Sequence, residues 1–490
     1  MMISKTEKRN PWFFVPSTYF AEGLPYILIN SVSVIIYKNM GVSNAEMAFW
    51  TSWLYLPWVL KMLWGPMVDM YGTRRKWAVY TQLILACCLA AAALSLTGNN
   101  FFALSLLAFA AGAFVSATHD IAVDGFYMLA LTKPDQAFFV GIRSMFYRLA
   151  MIFGTGFLVY RAGKMQATTG DAAGSWSIML FVSAALFLML FLYHRFTLPY
   201  PAEDVPKAKF KFSGILPLIG YLAAAAVITG IFHNLHGVWA KLATAAALVT
   251  ALFYAYQTYI FPRLKHKLAE EGNSFNEAFV SYFTQNKIGY IVAFILFYRL
   301  AEAMLLKMTQ PFLLDAIEKG GLAISTAEVG IIYGTTGMIA LIAGGLLGGW
   351  FISKYGFRRC LWPMVLALHI PDVFYLYMAY AQPALQQLTV LGRSIPYGTV
   401  PLLVAAEQFG YGIGLTAFTV YLMMICKGKY KTAHFAISTG IMALGMMVPG
   451  MVSGMLQQAV GYRHFFLAVC ILTIPGILVI FRLPIKDEPA

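Results

Sequence analysis

Ionisable side chains inside long apolar runs are the residues of this sequence best suited to chemistry. Asp120 and Asp124 are four residues apart in such a run, so a helix would place both carboxylates on one face. Two acids this close in an apolar surrounding do not both ionise easily, and intramembrane acids are typical of proton relays. The sequence therefore predicts a proton-coupling site at Asp120 and Asp124.

Other charged and polar residues in the apolar runs extend this predicted site. Glu302 and Glu407 are candidate proton-coupling residues in the second half of the chain. Arg148 and Arg299 would attract an anionic group of a ligand through bidentate hydrogen bonds. Further candidates for substrate binding are Glu22, Asn30, Lys61, Tyr127, Tyr147 and Gln285.

Each of these residues also has a purely structural interpretation. Asp120 and Asp124 could form ion pairs with Arg148 or Lys61 that only stabilise a helix bundle. The other structural alternatives are an Arg299–Glu302 pair, a helix-break cap at Glu22, a packed His119, and surface histidines at His233 and His236. The residue types alone do not decide between these interpretations.

The composition places these residues in a membrane protein. Of 490 residues, 60% are hydrophobic and only 11% are charged, with a mean hydropathy of +0.69, whereas soluble domains carry about 25% charge. These values exclude a secreted enzyme, a nucleic-acid binder and a disordered adaptor. The 5 cysteines lie in or beside apolar runs without metal-ligand spacing, so neither a disulfide framework nor a metal site is predicted.

The apolar runs predict fourteen membrane-spanning helices, since each crossing needs about 20 residues. The predicted spans are 13–37, 46–69, 77–97, 101–130, 137–160, 176–196, 213–232, 238–261, 287–314, 327–353, 361–381, 397–426, 432–457 and 464–482. With the N-terminus inside, 22 Lys and Arg residues fall in cytoplasmic segments and 6 on the opposite side. This bias predicts that both termini are cytoplasmic, and no cleavable signal peptide is expected.

A loop motif recurs at a constant offset of 284 residues. The first copy contains Gly65, Asp69, Gly72, Arg74 and Arg75, and the second contains Gly349, Gly356, Arg358 and Arg359, with Ser353 in place of the acid. Both copies resemble the Gly-x-x-x-Asp-x-x-Gly-x-Arg-Arg loop of the major facilitator superfamily, which implies a gating role for these residues. Arg74 and Arg75 could instead serve membrane orientation alone.

The large offset predicts an all-α polytopic protein built from two six-helix halves. The N-terminal half would cover 1–200 and the C-terminal half 271–490, and 201–270 would hold cytoplasmic linkers with two additional transmembrane helices. In such folds the substrate site lies near the membrane midplane between the halves.

Several motifs make the chain similar to a narrower group, the AmpG muropeptide permeases. They are Gly23-Leu24-Pro25, Lys61-Met-Leu-Trp64, Ser116-Ala-Thr-His-Asp120-Ile-Ala-Val-Asp124, Tyr147-Arg148-Leu149 and Tyr298-Arg-Leu-Ala-Glu302, followed by Glu407 and Thr432-Ala433-His-Phe435. The resemblance implies proton-driven import of GlcNAc-anhydro-MurNAc, with or without peptide, across a bacterial inner membrane. It also implies that Asp120 and Asp124 are required. The chain departs from the family at His119, where a glutamine is usual.

Three other functions remain open on the sequence. The first is import of another oligosaccharide or anionic conjugate on the same scaffold, and the second is a membrane sensor without net flux. The third, a membrane-embedded enzyme, is the least favoured, because no nucleophile–base pair or metal constellation is visible. We expect no cofactor and no nucleic-acid partner. The expected partners are a saccharide or glycopeptide substrate, protons and the lipid bilayer, and the expected state is a monomer.

Overall fold

The apolar runs form helices whose first turns are capped by side chains in the connecting loops. Ser43, Thr73, Thr132 and Asp171 each accept a hydrogen bond from a backbone N–H of the following helix, which satisfies donors that the helix itself leaves free. The computed structural model describes residues 9–70, 72–205, 274–383, 388–390, 393–395, 398–426 and 430–484.

The described part of the N-terminal half contains nine α-helices. They are α1 (Val15–Ile27), α2 (Ser33–Asn39), α3 (Asn44–Trp53), α4 (Leu56–Met70), α5 (Arg74–Ser95), α6 (Phe101–Ala130), α7 (Lys133–Ile152), α8 (Val159–Thr169) and α9 (Ala172–Thr197). A 3-10 turn, Pro11–Phe13, precedes α1. The π-helical segments Leu28–Val32 and Phe153–Leu158 join α1 to α2 and α7 to α8.

The C-terminal half repeats this plan in the part of the chain from 274 onward. Its helices are α10 (Ser274–Phe283), α11 (Ile288–Phe297), α12 (Leu300–Leu314), α13 (Thr326–Val329), α14 (Met338–Tyr355), α15 (Phe357–His369), α16 (Asp372–Ala381), α17 (Val400–Ile425) and α18 (Lys431–Ile480). A 3-10 turn, Ile317–Lys319, follows α12. The π-helical segment Gly330–Gly337 joins α13 to α14. A small antiparallel hairpin, β1 (Leu388–Val390) and β2 (Arg393–Ile395), precedes α17 and was not predicted.

The prediction of an all-α polytopic membrane protein is confirmed. In the described ranges, ten helical stretches are long and apolar enough to cross a membrane. One further difference is that the second predicted span is broken around Leu54, between α3 and α4. α18 consists of two helices that meet at a kink at Gly461 (φ 74°, ψ 168°), and these two parts correspond to the last two predicted spans.

The predicted middle pair, 213–232 and 238–261, lies outside the described residues. The count of fourteen spans and the cytoplasmic placement of both termini therefore stay predictions. The same is true of the domain limits at 200 and 271.

The two copies of the repeated loop share one backbone feature. Gly72 and Gly356 both have a positive φ, +87° and +80°, a conformation in which glycine avoids the steric penalty of a Cβ atom. Each glycine lies just before the helix that continues its half, α5 or α15. The sequence repeat therefore corresponds to the same turn in both halves.

The halves approach each other closely at one end of the bundle. We call the end that carries Lys38 and Asp315 the Lys38 end, and the opposite end the Arg74 end. Towards the Lys38 end, a Cβ atom added to Gly334 would lie 2.0 Å from the backbone oxygen of Thr155 in the other half. Only glycine permits this contact, because real Cβ atoms need more than 3 Å of separation.

Candidate functional site

A cavity of about 220 Å³ lies between the two halves. The N-terminal half contributes Tyr26 and Lys61 to its wall, and the C-terminal half contributes Arg299, Lys307 and Tyr411. Both halves thus bring cationic side chains to one enclosed space. A cavity walled in this way is suited to an anionic ligand.

Lys61 joins this cavity to the predicted proton-coupling acids. Its Nζ lies 2.5 Å from Oδ2 of Asp120, and the pair is only partly exposed. Lys61 on α4 is therefore neutralised by Asp120 on α6. The charge that Lys61 presents to the cavity depends on whether Asp120 is ionised.

Asp124 belongs to a second ion pair on the same face of α6. Its Oδ1 accepts hydrogen bonds from Tyr19 Oη at 2.8 Å and from Arg143 Nη1 at 3.0 Å. Arg143 also donates to Tyr19 Oη at 2.9 Å. Asp124 is more exposed than Asp120, with 48% against 17% of its side-chain area accessible. It therefore connects the buried pair to the surface.

Glu22 completes this group from α1. It is buried and lies beside Asp120 and Lys61. Its Oε2 accepts no hydrogen bond from any described residue. Together with Asp124 and Arg143, the group contains three acids and two cations, so at least one negative charge has no matching cation within it. An excess acid of this kind favours proton binding.

Two cations of the C-terminal half line the cavity, and neither forms an ion pair with an acid among the described residues. Arg299 donates to the hydroxyl of Tyr411, and its guanidinium carbon lies 5.5 Å from the centroid of that ring. Lys307 donates to Thr51 Oγ1 across the interface at 3.0 Å. The predicted structural alternative of an Arg299–Glu302 ion pair is not among the ion pairs recorded for the described residues.

The two acids predicted in this half are deeply buried in different surroundings. Glu407 on α17 accepts hydrogen bonds from Tyr375 at 3.2 Å and from Gln408 Nε2 at 3.0 Å. Glu302 on α12 is fully buried, and neither of its oxygens has a hydrogen-bond partner in the described part of the chain.

Uncharged polar groups also meet at the cavity. Gln310 Nε2 donates to Ser31 Oγ across the two halves at 2.7 Å, and both residues line the cavity together with Asn30. Asn30 uses its Nδ2 to donate to the backbone oxygen of Tyr26 at 3.0 Å. Its Oδ1 has no recorded partner among the described residues and remains available to a ligand hydroxyl.

Several predicted substrate-binding residues lie away from the cavity wall. Tyr127 donates to the backbone oxygen of Gln136, near the Arg74 end, and Gln285 lies in the turn between α10 and α11. The ring of Tyr147 lies 6.4 Å from that of Tyr26, so it stands behind the wall. Arg148 reaches towards Gly345 of the other half.

The first copy of the repeated loop is tied to its own half. The backbone N–H groups of Arg74 and Arg75 donate to Asp204 at 2.7 and 2.9 Å. The Arg75 guanidinium donates to the backbone oxygens of Leu198 and Arg195. These contacts anchor α5 to the end of α9. The side chain of Asp69 lies outside the described residues, so the predicted gating role of this loop stays a prediction.

A polar network joins the halves at the Lys38 end. Lys38 Nζ lies 2.6 Å from Asp315 Oδ1. The other oxygen of Asp315 accepts from Tyr462 Oη at 2.7 Å and from Asn44 Nδ2 at 3.1 Å. We call Lys38, Asn44, Asp315 and Tyr462 the outer lock. It closes the cavity on this side, beneath a surface opening of about 880 Å³.

Sequence reasoning missed the outer lock as well as Tyr19, His369 and Asp372. The lock residues come from loop ends far apart in the chain, and no local pattern links them. His369 and Asp372 carried a usable signal, since Pro371 interrupts a predicted span between two ionisable residues. His119 behaves as a packed histidine, because it is fully buried and its Nδ1 bonds Thr81 Oγ1 at 2.8 Å.

Comparisons with known proteins agree with this architecture. The sequence model of the Major Facilitator Superfamily matches residues 17–306. The anhydromuropeptide permease of Escherichia coli (strain K12) is 22% identical over 468 residues, which cover 94% of this chain and 77% of that protein. A protein named putative transporter AmpG 4, from Rickettsia conorii, is 21% identical over 499 residues and 99% of both chains.

Solved structures show the same fold at lower identity. A peptide transporter of the POT type in complex with sulfate aligns with a TM-score of 0.65 and 12% identity, over 98% of this chain and 97% of that one. The nucleoside transporter NupG, as its D323A mutant, aligns with a TM-score of 0.60 and 14% identity, over 96% and 99% of the two chains. These likenesses concern the fold alone.

Proposed function

Because this chain belongs to the major facilitator superfamily and is similar to its AmpG-type permeases, we propose that it is a proton-coupled symporter for cell-wall muropeptides. It is a multi-pass protein of a bacterial inner membrane and a transporter by family. The proposed substrate is GlcNAc-anhydro-MurNAc, with or without its peptide, moved inward by alternating access of the two halves.

One observation carries the proposal: a cation from each half faces the same cavity, and the cation of the N-terminal half is paired with an acid. Lys61 and Arg299 both line the cavity, and Asp120 lies 2.5 Å from the Lys61 ammonium. A muropeptide carries a lactyl or peptide carboxylate, which Arg299 and Lys61 would bind from opposite sides. Lys307 adds a third positive charge to the same space.

Protons and substrate are coupled through Lys61. While Asp120 is ionised, it neutralises Lys61 and competes with the substrate carboxylate for the ammonium group. When Asp120 takes up a proton, Lys61 becomes free to bind the substrate. Protonation of Asp120 alone would leave the buried Lys61 ammonium without a negative partner, and the substrate carboxylate supplies that partner. The proton and the substrate anion therefore enter the protein together.

Asp124 would pass protons between Asp120 and the Arg74 end. It shares the face of α6 with Asp120 and is bound by Tyr19 and Arg143. Tyr19 supplies a hydroxyl through which a proton can move, and Arg143 holds Asp124 in its ionised form. Release of the proton towards the Arg74 end restores the Lys61–Asp120 pair and weakens the hold on the substrate.

Alternating access would open and close the outer lock. In the present conformation the lock is closed and the central cavity is smaller than the ~300–1,000 Å³ of typical ligand pockets. A disaccharide therefore requires the halves to separate. Sugar hydroxyls and acetamido groups would replace the Ser31–Gln310 hydrogen bond and engage the free oxygen of Asn30.

A second candidate is import of another anionic oligosaccharide or conjugate. The cationic wall of Lys61, Arg299 and Lys307 favours an anion without specifying the sugar. The scaffold would then be the same, and only the uncharged part of the cavity would select a different substrate.

The test is uptake of labelled GlcNAc-anhydro-MurNAc into proteoliposomes under an imposed pH gradient. The proposal predicts accumulation that stops when the gradient is collapsed, and competition by unlabelled anhydro-muropeptides but not by neutral disaccharides. Competition by unrelated anionic oligosaccharides with equal potency would favour the second candidate. Absence of uptake of every anionic saccharide would contradict both.

A further inference from the structure

Three ionisable residues meet inside the C-terminal half where a predicted span is interrupted. α15 ends at His369, α16 begins at Asp372, and Pro371 lies between them. Glu302 on the neighbouring α12 faces Asp372. We call Glu302, His369 and Asp372 the Glu302 cluster. His369 and Asp372 take no part in the coupling of protons to substrate through Lys61.

The residues of the Glu302 cluster are buried without hydrogen bonds. Glu302 and Asp372 are 0% and 1% exposed. All four of their carboxyl oxygens, and both ring nitrogens of His369, lack a hydrogen-bond partner in the described ranges. Within the cluster, Nδ1 of His369 lies 3.8 Å from Oδ2 of Asp372, which is too far for a hydrogen bond.

The groups around the cluster do not compensate two negative charges. Arg299 is a cation close to Glu302, but it donates to Tyr411. The aromatic ring of Tyr298 lies 5.7 Å from the imidazole ring of His369, and the thiol of Cys470 lies near Asp372. Three more titratable groups of the described residues lie on neighbouring elements: Glu407 and Tyr411 on α17, and Tyr333 in the π-helical segment Gly330–Gly337.

Bare carboxylates are not stable in this position. An ionised carboxyl group taken out of water without a partner loses far more solvation energy than its surroundings return. A protonated carboxyl is neutral, so its burial costs far less than that of the carboxylate. The geometry therefore requires a bound cation at Glu302 and Asp372, of which the proton is the smallest.

A metal ion is a poorer match for the same space. The described residues contain no group of three or more His, Cys, Asp or Glu side chains positioned to hold one. Hard cations such as sodium are held by several oxygen ligands, whereas Glu302 and Asp372 bring carboxyl oxygens from only two side chains, and His369 brings nitrogens.

We propose that the Glu302 cluster is a second proton-binding site, separate from the Lys61–Asp120 pair, and that it loads and releases a proton in each transport cycle. The proposal rests on the proton-coupled function proposed above. Loading forms an O–H bond at Glu302 or Asp372, with the proton taken from hydronium on one side of the membrane. Release breaks that bond and returns the proton to water on the other side.

The second site has a place in alternating access. Arg299 lines the cavity and Glu302 does not, although the two residues are only three positions apart. A negative charge on Glu302 therefore attracts the Arg299 guanidinium away from the cavity. When the site is protonated, Arg299 keeps its full positive charge for the substrate carboxylate. When it is ionised, Arg299 is drawn towards Glu302 and the substrate is released.

The test is the number of protons moved per substrate, measured in proteoliposomes from the membrane potential at which substrate flux reverses. Glu302→Gln and Asp372→Asn imitate the protonated state and should each lower this number by about one, while substrate exchange without a gradient continues. Glu318→Gln, which changes an exposed acid near the same half, should leave the number unchanged. Glu302→Asp, which keeps the acid, should restore part of the lost coupling.

The outcomes separate this proposal from the function on which it rests. If uptake by the unaltered protein ignores the pH gradient, proton-coupled transport itself is wrong. If the unaltered protein is coupled and both variants keep its proton number, the second site is wrong. A sodium gradient that drives uptake in the unaltered protein, but not in Glu302→Gln, would assign the site to sodium and overturn the proton assignment. If these variants do not fold, infrared spectra of a protein with Glu22→Gln, Asp120→Asn and Asp124→Asn decide, since the proposal requires that a buried protonated carboxyl remains there and ionises during substrate exchange.

Discussion

The ammonium nitrogen of Lys61 lies 2.5 Å from Oδ2 of Asp120, and the same lysine side chain forms part of the wall of the cavity between the halves. One cation thus has two competing partners, a protein acid and a ligand anion. Protonation of Asp120 therefore raises the affinity of Lys61 for a ligand anion, and this change needs no large movement of the backbone.

Asp120→Asn should separate exchange from accumulation. The amide imitates the protonated acid, so Lys61 stays free to bind substrate while no proton is released at this position. We expect exchange of labelled for unlabelled substrate to continue, and accumulation driven by a pH gradient to fall, since one proton fewer is moved with each substrate. Glu46→Gln, at an exposed acid on α3, should retain full accumulation. Undiminished gradient-driven accumulation by Asp120→Asn would contradict the role of this acid.

Arg299→Gln should weaken binding of anionic substrates specifically. A hydrogen bond to a charged group contributes about 1.5–3 kcal/mol, so KM should rise by roughly 10- to 150-fold. The measurement is the KM for uptake, compared between the acid and a substrate whose carboxylate is converted to an amide. The substitution should hardly change KM for the amide. An equal rise for both substrates would show that Arg299 shapes the cavity without binding the carboxylate.

A covalent link across the outer lock should stop transport. Lys38 and Asp315 form an ion pair between the halves, so Lys38→Cys and Asp315→Cys in one chain place two thiols on opposite halves, within reach of a bifunctional thiol reagent. We expect a bifunctional methanethiosulfonate cross-linker to abolish uptake and a reducing agent to restore it. Each single cysteine variant is the control for the effect of the reagent on the native cysteines. Full uptake by the cross-linked protein would mean that this end need not open.

The contact at Gly334 should tolerate no side chain. A Cβ atom there would lie 2.0 Å from the backbone oxygen of Thr155, so Gly334→Val should keep the halves apart at the Lys38 end. We expect strongly reduced uptake, together with faster labelling of Lys38→Cys by a membrane-impermeant thiol reagent. Gly289→Val is the matched control, since a Cβ atom at Gly289 on α11 meets no atom within 4 Å. Equal labelling in both variants would contradict the proposed closure.

The sequence predicted the architecture well because its signals are local and periodic. Apolar length defined the spans, and the repeated loop defined the two halves, each with a positive-φ glycine at Gly72 or Gly356. The spacing of Asp120 and Asp124 correctly placed both acids on one helical face. These features depend only on residues close together in the chain.

The partners of the acids could not be predicted in the same way. Lys61, Arg143 and Arg148 were all available to Asp120 and Asp124 by charge. The packing of α4 against α6, and of α6 and α7 against α1, decides that Lys61 pairs with Asp120 and Arg143 with Asp124. The outer lock depends on loop ends from both halves, and the position of each is set by the whole bundle. Contacts between residues this far apart in the chain cannot be predicted from the spacing of residues in the sequence.

The most direct test of the account is the uptake of protons when substrate binds to the purified protein in weakly buffered solution. Because substrate binding to Lys61 requires a protonated Asp120, we expect GlcNAc-anhydro-MurNAc to draw protons from the medium, and Asp120→Asn to bind the same substrate with a smaller proton uptake. Substrate binding without proton uptake by the unaltered protein, or an undiminished uptake by Asp120→Asn, would contradict the coupling of Lys61 to Asp120.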